Sequence, residues 1–243
     1  MASFQTGIVY SILIPIYNES ENILSLTNEI ESAIAHLVSE WELIFIDDGS
    51  IDTTHSILST LCMTKKHIRP VHLEKNYGQS SALLAGIDAA KGEWLITLDG
   101  DGQNDPSDIP KLIELAKNGS YDLVAGIRKK RKDVFYKRFI SKIANTVRKR
   151  VLSDNAQDSG CSLKLFRRSC ALQLFRFRGM HRFLPALFQI EGFSIAQIPV
   201  NHRERIRGKS KYHLFNRGIS LLFDMLAVSW MKKRKATYTV KDI

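Results

Sequence analysis

Cysteine is scarce in this chain: Cys62, Cys161 and Cys170 are the only three among 243 residues, and no two stand in a CxxC spacing. An odd count without paired spacing argues against a disulfide framework and suits a reducing, intracellular compartment. No uncharged apolar run reaches the roughly 18–20 residues that a membrane span needs. The N-terminal stretch MASFQTGIVYSILIPIY has no basic region before its apolar run and no cleavage site after it, so it does not read as a signal peptide. There is no GxxxxGK[ST] or GxGxxG loop to cradle a triphosphate or dinucleotide. Internal repeats, low-complexity tracts and helix-turn-helix, finger or aromatic RNA-binding signatures are absent too.

Acidic residues are the last scarcity, and a local one. Residues 1–122 hold 7 Lys and Arg against 18 Asp and Glu, a net of −11; residues 123–243 hold 28 against 7, a net of +21. Such a split suggests that the second half meets something anionic: nucleic acid, a membrane surface or a phosphorylated ligand. The acidic half would repel DNA, and with no nucleic-acid-binding motif present, no nucleic-acid partner is expected.

What is present is an alternation. The runs at 9–17, 42–48, 71–76, 94–99 and 121–126 are apolar and rich in β-branched residues, the pattern of buried strands. Helical spacing follows in 23–37, 78–90 and 107–117, and Asp52 stands where it can cap a helix after the second strand. Strand–helix alternation predicts an α/β fold, a mostly parallel sheet with helices on both faces. Ligands bind such sheets beyond the carboxyl ends of the strands. Asn18-Glu19, Asp47-Asp48 and Asp99/Asp101 all fall there, so three acidic clusters are expected to converge on one crevice. In WLITLDGDGQNDP, Asp99 and Asp101 would repel each other unless a cation or a shared proton lay between them. Oxygen ligands there, with Gln103 in reach, suit Mg²⁺ or Mn²⁺, although Asp-Gly-Asp is also turn chemistry.

The motifs taken in order carry a resemblance. SILIPIYNESEN, FIDDGSIDTT, NYGQSSALLAG and TLDGDGQNDP resemble the successive motifs of inverting family-two glycosyltransferases with the GT-A fold. AGIRKKRKD, DSGCSLKLFRR, HRFLPAL and HRERIRGKSKY are similar to those of the polyprenyl-phosphate glycosyltransferases, the group of dolichyl-phosphate mannose synthases and undecaprenyl-phosphate aminoarabinose transferases. The resemblance implies a catalytic domain over 1–212, with a nucleotide-sugar half (1–126) and an acceptor half (127–212), then a basic amphipathic helix and tail over 213–243. It implies that Pro15, Tyr17, Asn18, Glu19, Asp47, Asp48, Gly78, Asp99 and Gly100 bind a GDP- or UDP-linked sugar. It places the metal on Asp99, Asp101 and Gln103. Arg128, Arg131, Lys137, Ser141, Arg205 and Lys211 would meet the acceptor phosphate, and Asp101, Arg128 and Asp158 would act in catalysis. For Asp158 three roles stay open: base, orienter of an arginine, or turn-former. His181 and His202 read as structural.

A polyprenyl phosphate acceptor implies a membrane. Two basic amphipathic helices, 135–152 and 214–230, could lie in the interface, or the second could cap the core. Arg217, Ser220 and Asp224 form a narrow polar stripe on that second helix, and the cations Lys232, Lys233, Arg234 and Lys235 follow. Many family members add membrane-spanning helices after the catalytic domain. Here the expectation is a peripheral enzyme at the cytoplasmic face of a membrane, with a homo-oligomer left open among its partners. The rival reading keeps the fold and gives the sugar to a sugar or glycolipid hydroxyl, which needs a base such as Asp158 or Glu191.

Overall fold

The computed structural model describes residues 8–37, 40–129, 156–204 and 214–236. Its centre is a seven-stranded sheet: β1 (Ile8–Ile16), β2 (Glu40–Asp47), β3 (Ile68–His72), β4 (Trp94–Thr97), β5 (Leu123–Arg128), β6 (Lys164–Arg167) and β7 (Ile195–Val200). The strand order is β3-β2-β1-β4-β6-β5-β7. β6 runs antiparallel to both its neighbours, β4 and β5, and the other pairings are parallel. The expected α/β sheet is therefore present and mostly parallel.

Side-chain alternation along β1 and β2 divides the core. Ile12, Ile14, Leu43 and Phe45 face α1 (Ile23–Ile34), α2 (Thr54–Thr64) and α4 (Ile109–Gly119). Leu13, Ile44 and Ile46 face α3 (Gln79–Ala89), α5 (Arg168–Ala171), α6 (Leu184–Glu191) and α7 (Leu214–Arg234). Period-two burial on a sheet between two helical layers produces this division. The N-cap of α2 is Thr53, and Asp52, one residue before it, accepts the Thr54 amide at 3.0 Å.

Several boundaries shift from the expectation. The third strand is Ile68–His72 rather than 71–76, because it pairs with Leu43 to Asp47 and the Leu73 amide closes the ladder on Asp47 O. DSGCSLKLFRR resolves into a loop, β6 and the short α5. α7 extends to Arg234, beyond 230. The helix expected at 135–152 lies outside the described residues, as do the side chains of Arg217 and Ser220 on α7.

α7 has two apolar faces. Met225 and Val228 are buried against the second core, with Leu221 and Met231 beside them. Burial of each such side chain contributes roughly 1.5–3 kcal/mol. Leu222, Phe223, Leu226 and Trp230 point to solvent, Phe223 at 67% and Trp230 at 62% exposure. Among the described residues no helix is long and apolar enough to cross a membrane. Beside Trp230 a hollow of about 300 Å³ is lined by Leu174, Phe175, Leu187, Ile190 and Met231, with Glu191, Arg234 and Lys235.

Candidate active site

The loops leaving β1 and β2 are tied together by side chains. Asn18, at φ +51, accepts the Ile51 amide on its Oδ1 at 2.8 Å and donates its own amide to Ser50 Oγ at 2.8 Å. Asparagine tolerates this left-handed conformation better than most residues. The Glu19 amide donates to Thr54 Oγ1, and the Glu19 carboxylate accepts from Asn22 Nδ2 at 2.7 Å. Tyr17 is half-buried on the same loop.

Asp47 and Asp48, both buried, point to opposite faces, as neighbours at a strand end must. Asp47 accepts the Ser50 amide at 2.9 Å on the α2 side. Asp48 accepts the Tyr77 and Gly78 amides, both at 2.8 Å, and so holds the turn into α3. Burial is the main influence raising the Asp48 carboxyl above its ordinary pKa, against those two amides. Gly78, at φ +93, turns the chain where a side chain would be strained.

The DGDGQN loop leaves β4 between these turns and the second half of the chain. Asn104, buried, accepts the Asp99 amide at 3.0 Å and closes the loop. A Cβ on Gly100 would stand 2.4 Å from Ile16 Cγ2, so only glycine fits between the two aspartates. Asp99 Oδ1 accepts from Gln79 Nε2 at 2.9 Å and Oδ2 accepts from the Ser162 hydroxyl. Asp101 Oδ1 accepts the Gln103 amide at 3.1 Å. Burial, then the neighbouring Asp101, push the Asp99 carboxyl up; Ser162, Lys164 and Arg128 pull the other way.

This arrangement fits a hard divalent cation. The ligand atoms are carboxylate oxygens, each of which carries two lone pairs. The Gln103 amide nitrogen donates to Arg203 O at 3.4 Å, which leaves its carbonyl oxygen as the ligand atom. A cation between Asp99 and Asp101 would remove the repulsion that raises Asp99.

On the far side of Asp99, the segment 158–164 crosses the sheet edge. Arg128 Nε and Nη2 each lie 2.6 Å from one Asp158 oxygen, a bidentate pair, and the Arg128 amide also donates to Asp158 at 3.2 Å. Both side chains are largely buried, at 14% and 12% exposure. The pair holds the guanidinium charged: burial opposes this, but Asp158 more than compensates and the pKa is raised. Lys164 is buried and donates to Cys161 O; burial lowers its pKa against the pull of Cys161, Asp99 and Asp158. Arg203 pairs with Glu29 on α1 and with Asp105 at 2.7 Å, and its amide donates to Gln103 O at 2.8 Å. The strand-exit loop after β7 is thereby clamped to the DGDGQN loop.

The structure thus gathers Asn18, Glu19, Asp48, Gly78, Asp99, Gly100, Asp101, Gln103, Arg128 and Asp158 at one edge, with Pro15 and Tyr17 on the β1 exit. Asp47 shares that edge and turns toward α2. Arg131, Lys137, Ser141, Arg205 and Lys211 lie outside the described residues. Gln79, Asn104, Ser162, Lys164 and Arg203 belong to the site and were not assigned from sequence. Gln79 and Ser162 sit inside motifs already singled out, GQSSALLAG and DSGCSLKLFRR, which was the available signal. His181 has a structural role: its Nδ1 lies 2.7 Å from Ser80 Oγ, which also accepts the Gly179 amide.

Comparisons with known proteins agree with this geometry. A dodecaprenyl-phosphate galacturonate synthase of Rhizobium johnstonii is 36% identical over 236 residues, covering 93% of this chain and 68% of the relative. Glucosyl-3-phosphoglycerate synthase of Mycobacterium tuberculosis, solved with Mn²⁺, UDP-glucose and glycerol 3-phosphate, superimposes with a TM-score of 0.66 at 20% identity, covering 94% of this chain and 81% of its own. A further mycobacterial structure gives a TM-score of 0.68 at 18% identity, with 92% and 76% covered. At such identities these two structures establish the fold. The model of glycosyl transferase family 2 matches residues 11–175, and with the Rhizobium relative it assigns the chain: this protein belongs to glycosyl transferase family 2.

Proposed function

We propose that the protein transfers a sugar, with inversion, from a GDP- or UDP-linked donor to a polyprenyl phosphate, giving a lipid-phosphate sugar. The observation that carries this reading is the bidentate Arg128–Asp158 pair set beside the Asp99/Asp101 turn. This supports a reading in which Arg128 serves as a fixed cation for an acceptor phosphate, next to residues suited to a donor diphosphate. The similarity to a dodecaprenyl-phosphate sugar synthase supports the choice of acceptor.

Asp99, Asp101 and Gln103 would hold Mg²⁺ or Mn²⁺, which supplies Lewis-acid neutralisation of the departing nucleoside diphosphate. The chain's own residues do the rest. Asn18, Glu19 and Asp48 shape the nucleotide end, and Gln79 and Ser162 fix the Asp99 carboxylate. A phosphate monoester, with a second pKa near 6, is mostly dianionic at neutral pH and attacks without a strong base. What it requires is orientation, and an arginine fork meets phosphate geometry well. Asp158, with both oxygens on Arg128, acts as the orienter of that arginine. The hydroxyl-acceptor reading is less favoured, because it needs a base: Asp158 is engaged by Arg128, and Glu191 pairs with Lys235 at 2.8 Å beside the hollow under α7.

The membrane contact belongs to the exposed face of α7. Leu222, Phe223, Leu226 and Trp230 can enter the interface while Lys232, Lys233 and Arg234 meet anionic headgroups. This supports attachment at a membrane surface, and the cytoplasmic face is part of the same proposal. The test is to incubate the protein with labelled nucleotide sugars and polyprenyl phosphate, then with polyprenol or glycolipid in its place. Label in the lipid extract only with the phosphate upholds the reading; transfer to hydroxyl lipids alone would overturn it.

A further inference from the structure

Behind the nucleotide end, on the α2 side, three side chains from three elements converge. His72 Nδ1, at the end of β3, lies 3.1 Å from Asp47 Oδ2 and 3.1 Å from Nδ1 of His55 in the first turn of α2. One ligand atom from each residue falls within 4.8 Å of the other two. Asp47 is buried and its second oxygen accepts the Ser50 amide, so the carboxylate is fixed. The rings of His55 and His72 lie with centroids 4.0 Å apart and planes at 43°.

Hydrogen bonding accounts for this poorly. Each Nδ1 carries either one proton or one lone pair. If His72 Nδ1 is a donor, its single proton is shared between Asp47 and His55. If it is an acceptor, its lone pair faces a carboxylate. A cation among the three atoms satisfies all of them at once. Tetrahedral coordination at about 2.0–2.1 Å from nitrogen and oxygen ligands places those ligands a little over 3 Å apart, close to the two 3.1 Å separations at His72, and the third pair lies within 4.8 Å.

From this geometry we propose that Asp47, His55 and His72 form a second metal site, of nitrogen and oxygen ligands, that takes a borderline transition-metal cation such as Zn²⁺. Imidazole suits Zn²⁺, Ni²⁺ or Cu²⁺ and disfavours Mg²⁺. The site is separate in chemistry from the all-oxygen turn at Asp99 and Asp101. The exposed His55 provides the entry path, and the fourth position is left to water or a ligand. Filling the site pins the start of α2 and the end of β3 to the last residue of β2, immediately before Asp48.

The probe is Zn²⁺ itself, titrated into the full chain against a chromophoric chelator with Mg²⁺ in excess. The wild type and Asp101→Asn should each bind one equivalent. His55→Ala or His72→Ala should weaken binding by more than about 100-fold, since even outer-shell partners of a metal site change affinity by 10–100-fold. Zn²⁺ should raise the melting temperature of the wild type and leave that of His55→Ala unmoved. Because His55 is exposed, its replacement tests the site even if His72→Ala fails to fold. Co²⁺ in place of Zn²⁺ should give tetrahedral visible absorption without a thiolate charge-transfer band. No binding by the wild type, binding retained by His55→Ala, loss in Asp101→Asn, or a thiolate band pointing to Cys62 would each overturn the proposal.

Discussion

The two sides of the active edge are built by different means. On the donor side, the loops after β1, β2 and β3 are joined by side chains accepting or donating single hydrogen bonds: Asn18 to Ile51, Asp47 to Ser50, Asp48 to Tyr77 and Gly78. On the acceptor side, ion pairs and buried charge dominate: Arg128 with Asp158, Arg203 with Glu29 and Asp105, and Lys164 beneath them. Under the proposed function, the difference follows from the ligands. A nucleotide needs a shaped pocket, which many short-range bonds can hold. A phosphate acceptor needs a cation held in one orientation, and that takes a dedicated counter-charge.

If this contrast is right, replacements across the edge should fail in different ways. The largest effect is expected where the sides meet: Asp99→Asn or Asp101→Asn should lower turnover by about 100-fold or more, on the scale of losing one electrostatic contact to developing charge. Circular dichroism and melting temperature should stay near wild type, and EDTA should abolish activity; full turnover in EDTA would remove the metal from the scheme.

Next, Asp158→Ala should cost about 3 kcal/mol of stability, because it strands a buried guanidinium. Arg128→Ala should raise the KM for lipid phosphate far more than that for the nucleotide sugar. Equal changes in both constants would place the arginine on the donor.

A smaller, steric effect is expected at Gly100→Ala, where overpacking should cost about 1–3 kcal/mol. Adding Ile16→Leu, which takes the Cγ2 branch off Cβ at nearly constant volume, should recover part of that stability and part of the turnover. The smallest change in catalysis should come from Phe223→Ser with Trp230→Ser. Activity on short, water-soluble prenyl phosphates should hold, while flotation with anionic liposomes falls by about tenfold, given that a few buried apolar groups contribute on the order of 1 kcal/mol or more each. Flotation unaffected by these changes or by salt would leave α7 as a cap on the core alone.

The donor side was the more legible in sequence, for a physical reason. Strands at 9–17, 42–48 and 94–99 are apolar runs that end in turn residues, so Asn18, Asp48, Asp99 and Asp101 could be placed from local pattern alone. The acceptor side depends on partners distant in sequence. Ser162 meets Asp99 across 63 residues and Arg203 meets Glu29 across 174, separations that no local pattern reports. Asp47 and Asp48 looked alike as a pair; only the strand's alternation sends one to α2 and the other to the turn before α3. Lys164 opens the tetrapeptide KLFR, two apolar residues between two cations, and its four residues carry no sign of strand direction.

That strand direction has a consequence for how the chain folds. β4 and β5 are joined by a single helix, yet they never pair, because β6 lies between them and bonds to both. Until residues 164–167 have been synthesised, each of these strands presents an open edge. The sheet closes only through contacts across about 40 to 70 residues, which makes completion slow and leaves intermediates prone to edge-to-edge association. A fragment ending near residue 129 is therefore expected to aggregate, and the two halves of the sheet, though built differently, mature in one cooperative step.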